Sequence, residues 1–252
     1  MGRERSSNAG AKKWSTGILM CGRTALTASP ADLREAFGLD DVPQLGAHYN
    51  VPPSSPVAVV RVMRGSSGRK LETLRWGLVP HWAKDPKIGN KLALARAETV
   101  ASTGAFRDAL RTHRCLVAVD GFYEWRRAGK APSAPFFVRR PDGRPFALAG
   151  LWSRWVSADG EVIESCAIVT QAARPPVEGI HDRMPLVLEP EAWNRWLDPR
   201  LTDPGALEPL LSPRTPELIA YAVSPRVNDP RHDDAACLEP APDPAQRSLF
   251  SS

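Results

Sequence analysis

A chain of 252 residues with 42% hydrophobic and 24% charged residues has a globular composition and is long enough for a sizeable core; no run of 18 apolar residues could cross a membrane as a helix. The net charge of +5 is mild, and Arg3, Arg5, Lys12 and Lys13 against Glu4 place +3 of it in the first 20 residues, so the remainder permits contact with phosphates without arguing for it. Four scattered cysteines with no C-x-x-C pair argue against a disulfide framework and against a structural zinc site, and suit a reducing cytoplasm.

Residues 1–19 lack the apolar stretch of a signal peptide and read as a disordered or unused extension. Ordered sequence begins at Met20-Cys21-Gly22-Arg23. Ser29, Pro30 and Asp32 mark a helix start, with the helix running to Phe37 and closed by Gly38. Residues 49–56, with three prolines, read as a loop. Strands are expected at Val57–Met63, Leu71–Trp76, Cys115–Val119, Pro135–Arg139, Phe146–Leu151, Val162–Thr170 and Pro185–Leu188. Helices are expected at Thr103–Thr112, Pro190–Leu197 and Pro204–Leu211. The 25 prolines, about twice the usual ~5%, keep these elements short. The pattern predicts an α+β fold, a mostly antiparallel, barrel-like sheet with short peripheral helices. It spans residues 20–238, and 239–252 forms an extended proline-rich tail.

Cys115 and Cys166 lie in apolar runs and read as core residues. Cys21 is different. With the segment before it absent and Met20 removed, Cys21 is the N-terminus, with an α-amine and a thiol on adjacent carbons. An aldehyde can condense with that amine, and the thiol can then close a thiazolidine ring, which no internal cysteine can do. An α-amine with pKa near ~7.7 is roughly one third unprotonated at pH ~7.4, against about 0.1% for a lysine near ~10.4.

Glu124 in Gly121-Phe122-Tyr123-Glu124-Trp125 follows a buried strand between two aromatics. There it is either a proton-transfer carboxyl with a pKa raised by burial or a strand-end acid bonded to an arginine. His181, in Ile180-His181-Asp182-Arg183-Met184-Pro185, is either a proton carrier or structural. Trp76 and Trp82 flank a turn, as base-stacking contacts or as core residues, and Arg96 stands among small residues as a phosphate contact.

The motifs MCGR, YNVPP, WGLVPHWAKD, ARAETV, GFYEW and IHDRMPLVL occur in that order. Together, over about residues 20–240, they closely resemble the SOS-response-associated peptidase family, also known as abasic-site-processing proteins. The resemblance implies a barrel-like core with a cleft for single-stranded DNA carrying abasic sites. It implies Cys21 as the terminal nucleophile that crosslinks to the lesion through a Schiff base and then a thiazolidine, with Glu124 and His181 as the catalytic proton-transfer residues. Arg23, Arg96 and Arg183 would grip phosphates, with Trp76 and the loop of Asn50, Pro52 and Pro53 at the bases. No metal and no cofactor is implied. Two other readings share these residues: a cysteine-type peptidase, and a non-catalytic single-stranded DNA-binding module.

The family carries Asn before its A-R-A-E-T stretch, where this chain has Leu94; Asn90 and Asn50 are the nearby polar candidates. Residues 1–19 would block the Cys21 amine, and an early start codon or cleavage resolves this. In the tail, Gln246, Leu249 and Phe250 form a Q-x-x-L-F pattern like the peptides that dock bacterial repair proteins on the sliding clamp. The resemblance thus points to a cytoplasmic, nucleoid-associated monomer.

Overall fold

The computed structural model describes residues 22–63, 65, 68–128 and 131–243. Its strands are β1 (Thr24–Leu26), β2 (His48–Val51), β3 (Pro56–Val62), β4 (Arg69–Trp76), β5 (Leu94–Arg96), β6 (Arg114–Val119), β7 (Gly121–Ala128), β8 (Ala131–Arg139), β9 (Phe146–Val156), β10 (Val162–Ala172), β11 (Arg183–Pro185), β12 (Val187–Leu188) and β13 (Ile219–Ala222). Four short helices accompany them: α1 (Pro30–Phe37), α2 (Arg107–Thr112), α3 (Pro190–Leu197) and α4 (Pro204–Leu207). The fold is α+β, as expected.

Five strands close on themselves in the order β10-β4-β3-β6-β9 and back to β10. All the neighbours in this barrel are antiparallel except β4 and β10, which run parallel. β5 and β11 extend β10, and β12 extends β9. A second sheet has the order β13-β8-β7-β1-β2.

Period-two alternation divides the core. On β6, Leu116 and Ala118 join Leu33 and Phe37 of α1, Leu110 of α2, and Trp193 and Trp196 of α3. Cys115, Val117 and Val119 join a cluster that continues to Phe122 and Val138 of the second sheet. Cys115 and Cys166 are fully buried, as read from their apolar runs.

Local signals explain the helix ends. Ser29 and Asp32 form a reciprocal capping box at α1, and Gly38 closes it at φ 61°. Gly77, at φ 137°, lies where a Cβ would fall 2.6 Å from the Gly89 carbonyl, so only glycine lets these two backbones meet.

Several sequence expectations change: the second helix starts at Arg107 and not at Thr103, the helix from Pro204 turns 3-10 after Leu207, and the strand expected at Pro185–Leu188 is split into β11 and β12. His48–Val51 is an edge strand, not part of a loop, because the prolines begin only at Pro52. Glu124 lies within β7, not at the end of a strand. The tail expected from Glu239 begins later: Pro240 bridges to Val223, Ala241 N–H donates to Ala222 O, and Asp243 pairs with Arg126. Among the described residues, no helix is long and apolar enough to cross a membrane.

Candidate active site

The site grows from the ladder between β1 and β7. Thr24 pairs with Phe122 and Ala25 with Gly121, and Tyr123 N–H donates to Arg23 O at 3.0 Å. Continued one residue, this register sets the buried Gly22 across from Glu124. Cys21 lies outside the described residues, and so do Gln246, Leu249 and Phe250. Gly121 permits the close approach, since a Cβ there would fall 2.3 Å from the Phe137 ring.

Alternation along β7 gives the strand two working faces. Phe122 packs in the cluster shared with the barrel, and Glu124, two residues on, shares that face at 1% exposure. Tyr123 and Trp125 point the other way, toward residues 223–238.

Glu124 pairs with Phe136 on β8, so their side chains project to the same side. Ile180 packs on Phe136, Ala134 and Ala222. The loop carrying His181 therefore covers the surface on which Glu124 stands. His181 Nδ1 accepts the Arg183 N–H at 3.0 Å and lies 2.9 Å from Asp182 Oδ1. The loop that follows the short 3-10 turn Val177–Gly179 brings these sequence neighbours together.

Arg23 reaches into the C-terminal strap. Its guanidinium donates to Asn50 Oδ1 at 2.7 Å, Val227 O at 2.8 Å and Asn228 O at 3.3 Å, and it lies 5.9 Å from the Trp125 ring centre. Burial lowers its pKa, against the attraction of Asp229. Trp125 Nε1 in turn donates to Asn228 Oδ1 at 2.7 Å.

Two predicted base contacts are corrected. Asn50 is 1% exposed: its amide oxygen takes Arg23, and its Nδ2 donates to the carbonyls of Val227, Asp229 and His232. It fastens the strap, with its side chain buried among these partners. Trp76 is fully buried, with Nε1 donating to Ala93 O, so it is a core residue. Trp82, in the same motif, is 52% exposed. It edges a groove of about 540 Å³ whose rim includes Lys84, Lys87 and Lys91.

The remaining cations differ from each other. Arg183 meets Glu98 through two parallel bonds, and its Nη2 also donates to O and Oγ1 of Thr170. The hydrogen bonds from Arg183 hold the Glu98 carboxyl below its usual pKa. Arg96 is exposed and has no ion pair among the described residues. Leu94 is half-buried and packs on the cluster that holds Phe122 and Met184. Asn90 Oδ1 is taken by Ser54 and Arg75, so that oxygen is already engaged outside the Leu94 cluster.

Sequence reading missed the parts played by Trp125, Asn228, Glu98 and Asp182. Trp125 and Asp182 stood inside quoted motifs. Asn228 lies in a segment whose place is set by long-range contacts with no local pattern. No group of three or more metal-ligating side chains occurs among the described residues.

Comparison with known proteins supplies the context. A family model described as SOS response associated peptidase (SRAP) matches residues 20–230. The abasic site processing protein YoqW of Bacillus subtilis is 38% identical, over 87% of this chain and 99% of its own. Abasic site processing protein HMCES of Gallus gallus is 33% identical over 88% and 78%, and YedK of Escherichia coli, of the same description, 31% over 88% and 100%. A solved structure from Bordetella bronchiseptica superposes with a TM-score of 0.67 at 28% identity, covering 81% of this chain and all of that one.

Proposed function

Because this chain belongs to the SOS response associated peptidase family, we propose that it is an abasic site processing protein acting on single-stranded DNA. Cys21, exposed as the N-terminus, captures the lesion. Its amine condenses with the sugar aldehyde, releasing water and forming an imine. The thiol then adds across the C=N bond, its proton going to nitrogen, and the five-membered thiazolidine ring closes. Glu124 and His181 move the protons in these steps. The product covers the aldehyde and so protects the strand from β-elimination, a role suited to a DNA-damage response.

The observation that carries this reading is the β1–β7 register. It sets Gly22 across from Glu124, which shares a sheet face with Phe136, the residue on which Ile180 of the His181 loop packs. Three relatives with the same described role support it. Arg96, Arg183 and Arg23 supply positive charge for phosphates, and exposed Trp82 with its rim of lysines offers a stacking surface for bases.

The test uses protein beginning at Cys21 and an oligonucleotide with one abasic site, run on a denaturing gel. A retarded band that needs both Cys21 and a free α-amine is expected. A protein that cleaves peptides with its amine blocked, and gives no band, would be a peptidase. Retained DNA binding without a band would leave a non-catalytic module.

The Gln246, Leu249 and Phe250 motif would tether this activity to the sliding clamp, and so to the nucleoid. It follows Asp243, which is anchored on Arg126. Deleting residues 246–252 should abolish clamp binding and leave crosslinking intact; clamp binding that persists would refute the tether.

A further inference from the structure

Asp120 stands immediately before β7 and grips the link between β1 and α1. Its Oδ2 accepts the Thr27 N–H at 2.5 Å, the Thr27 hydroxyl at 2.7 Å and the Ala28 N–H at 3.1 Å. Its own N–H donates to Ala25 O at 2.8 Å. The three donors converge on one carboxylate oxygen, and Oδ1 is buried without a hydrogen bond. These bonds are not a helix cap, because Ser29 and Asp32 already cap α1.

What they fix is register. β1 has three residues, and its ladder with β7 pairs Thr24 with Phe122 and Ala25 with Gly121. On its other side, the ladder with β2 is irregular between Thr24 and Leu26. The Arg23 side chain is tied to Asn50 and the strap, not to β7. Asp120 joins β1 directly to the strand that carries Glu124. Side chains alternate along a strand, so a slip of one residue changes the face that each opposes. Such a slip would set Gly22 across from Tyr123 or Trp125, which point away from the Glu124 face.

We propose that Asp120 is a positioning residue for capture: by clamping Thr27 and Ala28 it sets the β1–β7 register that puts Gly22, the residue after Cys21, across from Glu124. This rests on the reading of Cys21 as the nucleophile. The clamp needs an accepting oxygen more than a charge. Burial pushes the Asp120 pKa up, against the hydrogen bonds from Thr27 and Ala28. An asparagine would offer the same donors an oxygen and remove the buried charge.

The experiment compares protein beginning at Cys21 with its Asp120→Ala, Asp120→Asn and Thr27→Val variants. Hydrogen exchange is read at Tyr123, whose N–H donates to Arg23 O across the ladder. In Asp120→Ala that exchange should quicken about tenfold or more. Capture at saturating abasic DNA should slow about tenfold to hundredfold, the scale of a misplaced reacting group. Binding to intact single strands, read by anisotropy, should stay within about twofold of wild type, since no phosphate contact is lost. Asp120→Asn should restore both exchange and capture to within about threefold. Thr27→Val removes only the hydroxyl donor and should show the same pattern at about fivefold or less, which keeps the test open if Asp120→Ala does not fold.

Capture at the wild-type rate in Asp120→Ala or, failing that variant, in Thr27→Val overturns the inference. So does an asparagine variant no better than alanine, or a loss of capture that follows a loss of DNA binding. If the wild type itself gives no covalent band, the proposed reaction falls. Exchange at Tyr123 then still decides the register lock: quickened in the variants it stands, unchanged it is overturned.

Discussion

Arg183 and Glu98 meet through two parallel hydrogen bonds, Nη1 to Oε1 at 2.6 Å and Nη2 to Oε2 at 3.0 Å. This planar pairing is the strong geometry for arginine and a carboxylate, yet it sets a negative charge beside two cations proposed to hold phosphates. Glu98→Gln should tighten binding to intact single-stranded DNA about twofold to fivefold at low salt. It should also steepen the salt dependence by up to roughly 0.7 in the log–log slope, the single-strand value for one more phosphate neutralised. Fluorescence anisotropy across a salt series measures both, and weaker binding would show that Glu98 serves the DNA site by holding Arg183 in place.

Leu94 occupies the family's asparagine position and is half-buried against the cluster that includes Phe122. In the proposed reaction it would offer no polar group to the abasic sugar. Leu94→Asn should speed crosslinking about fivefold to tenfold, the worth of one net hydrogen bond of about 1–1.4 kcal/mol. It should also cost about 1 kcal/mol of stability from lost apolar burial. Single-turnover gel kinetics and urea unfolding read these separately. If neither capture nor its reversal changes in rate, Leu94 lies too far from the reaction to matter.

Arg114 is 4% exposed and joins two helix ends. It donates to the carbonyls of Leu110 and Arg111 in the last turn of α2, and to those of Trp196 and Asp198 at the end of α3. Burial lowers its pKa to about 10, still well above neutrality, so it remains charged. Arg114→Met would leave these carbonyls without their shared donor and should cost about 3–5 kcal/mol in urea unfolding. Arg114→Lys should recover only part of that, because one ammonium cannot span four acceptors.

Asp233 accepts the N–H groups of Tyr49 and Asn50 at 2.5 and 2.9 Å and meets His48 Nδ1 at 2.7 Å. Partial burial pushes its pKa up, but these bonds outweigh that and hold it below the usual value. A depressed carboxyl stabilises the fold above its unfolded pKa of about 3.9 and loses that contribution as pH falls through the folded value. Hydrogen exchange at Tyr49 and Asn50 should therefore accelerate below about pH 4 in wild type. In Asp233→Asn it should already be fast at neutral pH. Exchange that stays slow in the variant would place the restraint elsewhere.

Much of the fold was legible because its signals are local. The box of Ser29 and Asp32 and the closing Gly38 delimit α1, and continuous apolar runs mark β6 and the centre of β10. β1, β5 and β13, of three or four residues each, are too short for a period, and sheet partners distant in sequence define them. The same limit applied to the site. Glu124 and His181 announced themselves through adjacent aromatic and charged residues. The burial of Asn50 and Trp76 could not be read, because a conspicuous motif looks alike whether it serves a ligand or the core. Asn50 turns inward because residues 227–232 bring it three carbonyls, and nothing in YNVPP encodes them.

The grip of Arg23 and Asn50 on the strap gives this protein a schedule. A ribosome delivers Arg23 early and Val227–His232 about two hundred residues later, and N-terminal parts of a chain ordinarily fold first. Here the opening segment must wait for the closing one, since until then neither side chain has its carbonyl partners. A nascent or truncated chain that lacks residues 227–232 would thus emerge with its first strand unlatched.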